Sequence, residues 1–266
     1  MKERILSLLS PEYPWKQQFH WLEETGSTND DLKKLARQGA PHGTVLIADR
    51  QSGGHGRMGR SFHSPAGVGI YFSILLRPDC APGELMHLTC ATAVAMCDAV
   101  EKAAGFRPGI KWTNDLVHGK HKLGGILTEL GLSAKGTVDY AVIGIGINCC
   151  QQEEDFAEEI RGIAASLSMV TGQEVDRAKV AAAMMEAFFR LDSRLLTQKP
   201  EILDQYRRDC ITIGREISLL RVGAEVRHGR AVDMDDEGAL IVEFADGSVE
   251  AVNSGEVSVR GMYGYL

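Results

Sequence analysis

A basic, glycine-rich loop joins two segments that are both typical of buried strands, and this order restricts the possible folds. The loop is QSGGHGRMGR at residues 51–60, in which Gly54, Gly56 and Gly59 match the G-x-G-x-x-G pattern of dinucleotide-binding turns. Such a turn requires a helix that opens at its glycines. Here the loop follows GTVLIADRQ and leads through a Ser-Pro turn into GVGIYFSILL. The sequence therefore argues against a Rossmann fold and leaves two interpretations, an anion-binding lid and a mobile surface turn.

The composition bounds the class of protein. With 266 residues, 44% of them hydrophobic and 24% charged, the chain can form one substantial core and a small second domain. The formal net charge of −7 gives no field that would draw the molecule onto nucleic acid or a membrane. The six cysteines lack the spacing of a zinc site or a disulfide framework, and the apolar runs are shorter than the roughly 18 residues of a spanning helix. We therefore expect a cytoplasmic protein with reduced thiols.

The pattern along the chain predicts an α/β domain followed by a β-rich one. Helices are expected at residues 27–39, with Ser27 or Thr28 as the N-cap and Gly39 at the end, and at about 82–104, 153–170 and 176–197. Strands are expected in GTVLIADRQ, GVGIYFSILLRP and VDYAVIGIGINC, and GIKWTNDLVHGKHKLGGILTEL is expected to form two strands that turn at His118-Gly119. From Gly214, short strands between Asp-Glu-Gly and Asp-Gly turns predict a small barrel. The predicted domains are residues 1–213 and 214–266.

Polar residues interrupt three strand-like segments, KWTNDL (111–116), KLGGILTE (122–129) and GIGIN (144–148). A core strand would prefer apolar side chains at these positions. We expect Lys111 and Lys122 to face each other across one hairpin. Together with Arg57 and Arg60 they would repel one another unless an anion lay between them. A single lysine is more often a surface side chain, but four such motifs in one domain favour a site for a polyanion.

The motifs together resemble those of biotin protein ligases, from about residue 20 to the C-terminus. The matching segments are STND, the loop, KWTNDL, KLGGILTE, GIGIN and the terminal SGEVSVR. The resemblance implies an α/β catalytic domain related to class II aminoacyl-tRNA synthetases, with a mixed sheet flanked by helices, and an SH3-like C-terminal barrel. It also implies that biotin reacts with ATP to give biotinyl-5'-AMP and pyrophosphate, and that biotin then passes to a carrier lysine.

The resemblance implies roles for individual side chains. Arg57 and Lys122 would hold the carboxylate and α-phosphate, Lys111 and Arg60 would lie nearer the triphosphate, and Asp115 would orient the attacking amine. The implied catalytic set is Arg57, Lys111, Lys122 and Asp115. The implied biotin site is Ser27, Thr28, Asn29, Gln51, His55, Gly56, Arg57 and Lys122. The implied ATP contacts are Arg57, Arg60, Lys111, Asn114 and Asn148.

Three positions depart from the family pattern, and no metal-binding side chain is expected. His55 and Met58 stand where the family loop carries arginine, and Thr113 stands where it carries proline. Mg²⁺ would be held by ATP oxygens and water. For three of the implied site residues a structural role competes with the functional one, since Ser27 or Thr28 could cap the helix and Asp115 could pair with Lys111.

The implied partner is a biotin carboxyl carrier domain, as in acetyl-CoA carboxylase, and a homodimer is possible. Only some 20 residues precede the catalytic domain, whereas a DNA-binding helix-turn-helix domain needs about 60. We therefore expect a monofunctional ligase. Two alternatives stay open at this point: a lipoate-type ligase of the same fold, and a non-catalytic binding module.

Overall fold

The computed structural model describes residues 1–220, 225–253 and 258–261. Within them the chain forms a large mixed sheet with helices on both faces, and a second, smaller sheet. The α-helices of the described residues are α1 (Lys2–Leu8), α2 (Thr28–Arg37), α3 (Leu88–Ala104), α4 (Leu167–Thr171), α5 (Arg177–Asp192) and α6 (Lys199–Asp209). The strands of the large sheet are β1 (Phe19–Thr25), β2 (Thr44–Gln51), β3 (Gly69–Leu76), β4 (Gly109–Lys111), β5 (Asp115–His118), β6 (His121–Leu132) and β7 (Val138–Asn148).

The large sheet has the order β1-β2-β3-β7-β6-β5-β4. The pair β1 and β2 is parallel, and the pairs that follow it across the sheet are antiparallel. The strands β2 and β3 are neighbours, and the loop between them contains a single 3-10 turn, Arg57–Gly59, in place of a helix. The predicted mixed sheet and the argument against a Rossmann fold are therefore confirmed.

Helices cover both faces of this sheet, which explains why β3 is buried at every position. Leu32 and Ala36 of α2 pack against Leu75 of β3 in a small core on one face. The main core lies on the other face, where Phe72 stacks on Phe188 of α5. Successive strand residues point to opposite faces, so one strand serves both cores.

The start and end of α2 agree with the sequence prediction. Ser27 is the N-cap, and its side chain accepts a hydrogen bond from the Asp30 backbone N–H. Gly39 follows the helix with a φ of 88°, a left-handed conformation that glycine adopts without a steric penalty. The capped helix presents its first residues, Thr28 and Asn29, toward the sheet rather than to solvent, and both are buried.

The smaller sheet contains β8 (Glu216–Leu220), β9 (Arg227–Met234), β10 (Leu240–Phe244), β11 (Val249–Val252) and β12 (Ser258–Gly261). Its order is β11-β10-β9-β8-β12, with antiparallel pairing throughout. The predicted short strands after Gly214 and the turns at Asp236-Glu237-Gly238 and Asp246-Gly247 are confirmed. Residues 254–257, at the start of the SGEVSVR segment, lie outside the described residues.

A tryptophan of the large sheet's KWTNDL segment attaches the two sheets to each other. The indole N–H of Trp112 donates to the Gly238 carbonyl at 3.0 Å, and its backbone N–H donates to Thr212 Oγ1 at 2.9 Å. Ile217 and Leu240 of the smaller sheet belong to the main core. The two sheets therefore share one apolar core, while the boundary after residue 213 stays a prediction.

Several predicted elements were wrong. The segment 109–132 forms three strands rather than two, because β5 lies between β4 and β6. The predicted helix at 153–170 is replaced by 3-10 turns at Glu153–Asp155 and Glu158–Ile160 and by the short α4. Here pairing with β6 overrides local propensity, since Lys122 N–H donates to the Ile163 carbonyl at 2.7 Å.

Helix boundaries also differ from the prediction. The helix expected at 82–104 begins as a 3-10 turn, Pro82–Leu85, and continues as α3 after a break. The helix α5 ends at Asp192 instead of near 197. The helices α1 and α6 were not predicted, and α6 is required to place Tyr206, whose hydroxyl donates to the Thr113 carbonyl at 3.2 Å.

The six cysteines are free thiols, and five of them are buried. Burial raises the pKa of Cys90 to about 12, so this thiol is a weak nucleophile at neutral pH. Among the described residues, no helix is long and apolar enough to cross a bilayer.

His87, immediately before α3, is a buried histidine that the fold holds neutral. It is 1% exposed, and its Nε2 donates to the Leu195 carbonyl at 2.8 Å. Its Nδ1 has no hydrogen-bond partner among the described residues. Burial lowers the pKa of His87 below its ordinary value of 6.5, and the hydrogen bond to Leu195 opposes this shift only in part.

This shift predicts a pH-dependent stability. In the unfolded chain His87 binds a proton near pH 6.5, whereas in the native state it does so only at a lower pH. The contribution of neutral His87 to the free energy of unfolding is therefore complete above pH 6.5 and is lost as the pH falls below it. Urea denaturation at pH 7.5 and 5.5 should therefore show a smaller loss of unfolding free energy for His87→Gln than for the unmodified protein. The change of unfolding free energy with pH should differ between the two proteins by at most about 1.4 kcal/mol per pH unit. Equal slopes would contradict the assignment.

Candidate active site

A cavity of about 830 Å³ lies beside the large sheet, between the first turn of α2, the loop of residues 51–63, and strands β4 to β7. Its lining includes every site residue predicted from the sequence: Ser27, Thr28, Asn29, Gln51, His55, Gly56, Arg57, Arg60, Lys111, Asn114, Asp115, Lys122 and Asn148. Residues far apart in sequence thus meet in one place. Their individual roles stay predictions.

One end of the cavity is formed by neutral hydroxyl and amide groups. The Thr28 backbone N–H and its Oγ1 both lie within hydrogen-bond distance of Gln51 Oε1, at 2.9 and 3.1 Å. Gln51 Nε2 donates to Ser64 Oγ at 3.2 Å. These contacts fix the orientation of the Gln51 amide. Thr28 therefore does not serve as the helix cap, which is Ser27.

The other end of the cavity is strongly basic, although the whole chain carries a net charge of −7. Among the described residues, four cationic side chains line it together with one carboxylate, that of Asp115. The cations are Arg57, Arg60, Lys111 and Lys122. Like charges gathered in a partly enclosed space repel, so this arrangement favours a ligand with several negative charges.

Strand β5 separates the two lysines that were predicted to face each other across one hairpin. Lys111 on β4 is in register with Asp115 on β5, and β5 in turn pairs with β6, which carries Lys122. Asp115 Oδ1 lies 2.6 Å from Lys122 Nζ. The two lysines therefore lie on the two strands that flank β5. The Asp115 carboxylate, which β5 carries, reduces the repulsion between them. Asp115 thus forms an ion pair with Lys122 and is the register partner of Lys111 on the neighbouring strand.

Arg57 connects the loop to this basic end. Its Nη1 donates to Asn114 Oδ1 at 3.0 Å. Burial lowers the pKa of Arg57, the Asp115 charge opposes this shift, and the Arg60 charge adds to it. Because guanidinium ordinarily loses its proton only above pH 12, Arg57 stays charged at neutral pH. Its planar group offers paired N–H donors suited to carboxylate or phosphate oxygens.

The loop itself is folded back on its own backbone. Gly56 N–H donates to the Arg60 carbonyl at 2.7 Å, and Phe62 N–H donates to the Gly54 carbonyl at 2.9 Å. Met58 has a φ of 57°, which is unusual for a residue with a side chain. His55 Nδ1 lies 3.2 Å from the Gly53 carbonyl. The loop therefore forms one wall of the cavity, as a lid would, and its closure over a ligand stays a prediction.

Asn148 is used by the protein scaffold. Its Nδ2 donates to the Ala165 carbonyl at 3.1 Å, and its Oδ1 accepts from Gln151 Nε2 at 3.2 Å. The Ala165 N–H in turn donates to the Lys122 carbonyl at 2.9 Å. These bonds favour a role in holding the segment that follows β7 against β6. The predicted contact of Asn148 with a nucleotide stays untested.

Sequence reasoning missed an apolar wall of this cavity. It is formed by the segment 156–164 and by the smaller sheet, through Phe156, Ile160, Ile163, Leu220, Val226 and Val259. In the sequence, Phe156 and Ile160 are four residues apart among acidic residues, a spacing typical of a surface helix. Only the pairing with β6 shows that these side chains face a cavity.

Two glycines of the GIGIN segment make space for cavity residues. A Cβ atom added to Gly144 would overlap the Asn29 amide, and one added to Gly146 would overlap the Phe62 ring. Both positions are therefore restricted by close packing across the sheet and not by backbone conformation.

Within the described residues, no group of three or more His, Cys, Asp or Glu side chains could hold a metal ion. Asp115 is the carboxylate that the described part of the chain contributes to the cavity lining, and it is paired with Lys122.

The glycine clearance gives a test of the site's packing. Gly144→Ala should lower the free energy of unfolding by about 1–3 kcal/mol, because Asn29 must move from a buried position. Gly162→Ala is a matched control, since no atom lies within 4 Å of the added Cβ. It should change the stability by less than about 0.5 kcal/mol. Equal urea denaturation midpoints for the two variants would contradict the packing described.

Protein-family comparison matches both parts of the chain. Residues 21–148 match the biotin/lipoate A/B protein ligase family, and residues 212–260 match the biotin protein ligase C terminal domain. These two matches include the loop, the KWTNDL segment and the smaller sheet.

Similar proteins and solved structures agree with these family matches. The chain is 31% identical over 251 residues to a biotin–[acetyl-CoA-carboxylase] ligase of Mycobacterium tuberculosis, covering 91% of this chain and 89% of that protein. It is 35% identical over 248 residues to the bifunctional ligase/repressor BirA of Bacillus spizizenii, covering 88% and 71%. A biotin protein ligase from Aquifex aeolicus in complex with biotin and ATP superposes with a TM-score of 0.77 at 31% identity, covering 91% and 98%. The chain belongs to the biotin protein ligase family.

Proposed function

We propose that this chain is an ATP-dependent biotin protein ligase. It forms biotinyl-5'-AMP with release of pyrophosphate, and then transfers biotin to a lysine of a biotin carboxyl carrier domain. The observation that carries the proposal is the division of one cavity into a neutral polar end, an apolar wall and a basic end with four cations and one carboxylate. Biotin has a neutral ureido group, an apolar body and a carboxylate, and ATP adds the polyanion that the basic end requires.

The neutral end suits the ureido group of biotin. Among the described residues, Gln51 Nε2 donates one hydrogen bond, to Ser64, so its second hydrogen is available for a ligand carbonyl. Phe72 and Ile145 line the cavity nearby and provide apolar contact for the fused rings. Ser27 and Asn29 complete the set of polar groups at this end.

In the first reaction an oxygen of the biotin carboxylate attacks the α-phosphorus of ATP, and the bond to pyrophosphate breaks. Both reactants are anions, so the barrier falls when their charges are neutralised and their atoms aligned. In this proposal Arg57 and Lys122 hold the carboxylate and α-phosphate, and Lys111 and Arg60 hold the remaining phosphates. Arg57 is held by Asn114, which reduces the reorganisation needed on binding.

Mg²⁺ accompanies ATP in this proposal. The described part of the lining offers one carboxylate, which is already paired with Lys122, so these residues fit an ion held by phosphate oxygens and water. When bound, the ion neutralises phosphate charge. Asn114 is a candidate to hold a water molecule of its shell.

In the second reaction the carrier lysine amine attacks the carbonyl carbon of biotinyl-5'-AMP, AMP leaves, and an amide bond forms. In this proposal the Asp115 carboxylate accepts a hydrogen bond from that amine and orients it. Its partner Lys122 would remain near the departing phosphate. The smaller sheet, which we propose to be the SH3-like domain of the family, contributes Leu220 and Val259 to the cavity wall and so helps to exclude water from the adenylate.

Exchange of labelled pyrophosphate into ATP tests the first reaction directly. We expect exchange that depends on biotin and Mg²⁺ and that is not supported by lipoate or octanoate. Exchange with lipoate or octanoate in place of biotin would make the protein a lipoate-type ligase. No exchange with any acid would favour a non-catalytic binding module.

Arg57→Ala should lower the biotin-dependent exchange rate at least about 100-fold, because a charge-stabilising donor is removed from the reacting groups. The melting temperature should change little. Arg50→Ala is the control, since Arg50 lies on β2 next to the loop, is exposed, and pairs with Glu24 outside the cavity. Normal exchange by Arg57→Ala would contradict the assignment.

Asp115→Asn separates the two reactions. Loss of the carboxylate should slow transfer to a carrier domain by at least about tenfold, and should slow pyrophosphate exchange by a smaller factor. Single-turnover transfer from preformed biotinyl-5'-AMP measures the second step alone. Equal losses in both reactions would assign Asp115 to the adenylation step or to holding Lys122.

A further inference from the structure

A polar residue lies in the middle of an otherwise apolar strand. Ser73 of β3 is fully buried, between Phe72 and Ile74. Its Oγ lies 2.6 Å from Asn29 Oδ1 and 2.7 Å from Thr28 Oγ1. A buried hydroxyl is costly unless it is hydrogen-bonded, so Ser73 indicates a polar network that the core accommodates for a reason other than packing.

The network continues away from the cavity through Asn29. Its Nδ2 donates to Glu129 Oε2 at 2.9 Å, with the Leu127 carbonyl at 3.4 Å. Glu129 Oε1 accepts from Lys33 Nζ at 2.6 Å. Glu129 is not part of the cavity lining, whereas Asn29 is. Any effect of Glu129 on a ligand is therefore indirect, and Asn29 is the cavity residue that its side chain contacts.

Glu129 determines which atom of the Asn29 amide faces Ser73. The two ends of an asparagine amide have nearly the same shape, so packing distinguishes them poorly, and hydrogen bonding decides. A carboxylate only accepts hydrogen bonds, so it requires Asn29 Nδ2 on its own side. Asn29 Oδ1 then points to Ser73 and the polar end of the cavity.

A count of hydrogens shows that this end is rich in acceptors. Three contacts connect Asn29 Oδ1, Ser73 Oγ, Thr28 Oγ1 and Gln51 Oε1 in sequence. The two hydroxyls bring two hydrogens, and the two amide oxygens bring none. One of the three contacts therefore lacks a hydrogen in every arrangement. A ligand N–H can donate to the oxygen that is left without a donor.

We propose that Glu129 is a positioning residue whose carboxylate fixes the Asn29 amide, so that the amide oxygen accepts a hydrogen bond from a ligand N–H. The inference rests on the proposed function, in which that ligand group is a ureido N–H of biotin. Lys33 matters for the test below, because its ammonium group can only donate hydrogen bonds. It also contacts Asp30 at 3.0 Å, which holds it beside the carboxylate.

Glu129→Gln preserves the shape of the side chain, and we expect it to reverse the orientation of the Asn29 amide. Lys33 can only donate, so it should take the oxygen of the new amide, and the new NH₂ group should then face Asn29. Asn29 must turn its own oxygen toward that NH₂ and present Nδ2 to Ser73 and the cavity. The acceptor for the ligand N–H is lost.

The test is isothermal titration of biotin, without ATP, into the intact protein and three variants. Glu129→Gln should weaken the Kd for biotin by about tenfold or more, as expected for loss of one buried hydrogen bond. Lys33→Met should change it by less than about threefold, because the Glu129 contact to Asn29 remains. The double variant Lys33→Met/Glu129→Gln should recover to within about threefold of the unmodified protein, since the glutamine can again present its oxygen to Asn29.

The double variant is decisive, because a purely structural role for the Lys33–Glu129 pair would make two substitutions at least as harmful as one. An unchanged Kd for Glu129→Gln would overturn the inference, as would a double variant that binds no better than Glu129→Gln. The unmodified protein in the same series distinguishes the two proposals. If it does not bind biotin, the proposed function fails, and if it binds biotin but the variants behave otherwise than expected, only this inference fails.

Discussion

The ion pair between Lys122 and Asp115 is the contact around which the site is arranged. It joins β5 to β6 at 2.6 Å and brings a carboxylate between two lysines that would otherwise repel each other. The backbone of Lys122 also holds the segment that forms the apolar wall, through bonds to Ile163 and Ala165. The charge balance of the site and the position of its apolar wall thus involve the same residue, Lys122.

The two ends of the cavity are built by different means. At the basic end, charged side chains lie at strand ends and in the loop, and their exposure ranges from the buried Lys111 to the exposed Arg60. At the neutral end, hydroxyl and amide groups are buried and hydrogen-bonded to one another through Ser73 and Gln51. The first arrangement suits charge neutralisation, and the second suits recognition of a small neutral group.

Much of this arrangement could be predicted from the sequence. The ligase family is confirmed by the comparisons, and the mixed sheet, the capped helix α2 and the strands after Gly214 are confirmed by the structure. The predicted site residues share one cavity because each motif lies at a strand end or a loop that meets the same side of the sheet. The class II synthetase and SH3-like labels, the domain boundary and the residue roles stay predictions.

The errors have a common physical cause. The helix predicted at 153–170 has suitable local spacing, but Lys122 and Ala165 pair across the fold, and no local pattern reports such a contact. The insertion of β5 between Lys111 and Lys122 was missed because short strands carry a weak periodic signal. Glu129 was visible in KLGGILTE, yet its bond to Asn29 joins residues 100 positions apart.

We propose that one cavity holds both biotin and the nucleotide. A crystal structure of the protein with a stable analogue of biotinyl-5'-AMP would test this. We expect the ureido group beside Thr28 and Gln51, and the phosphate beside Arg57 and Lys122. An analogue bound with its phosphate away from these cations, or outside the cavity, would contradict it.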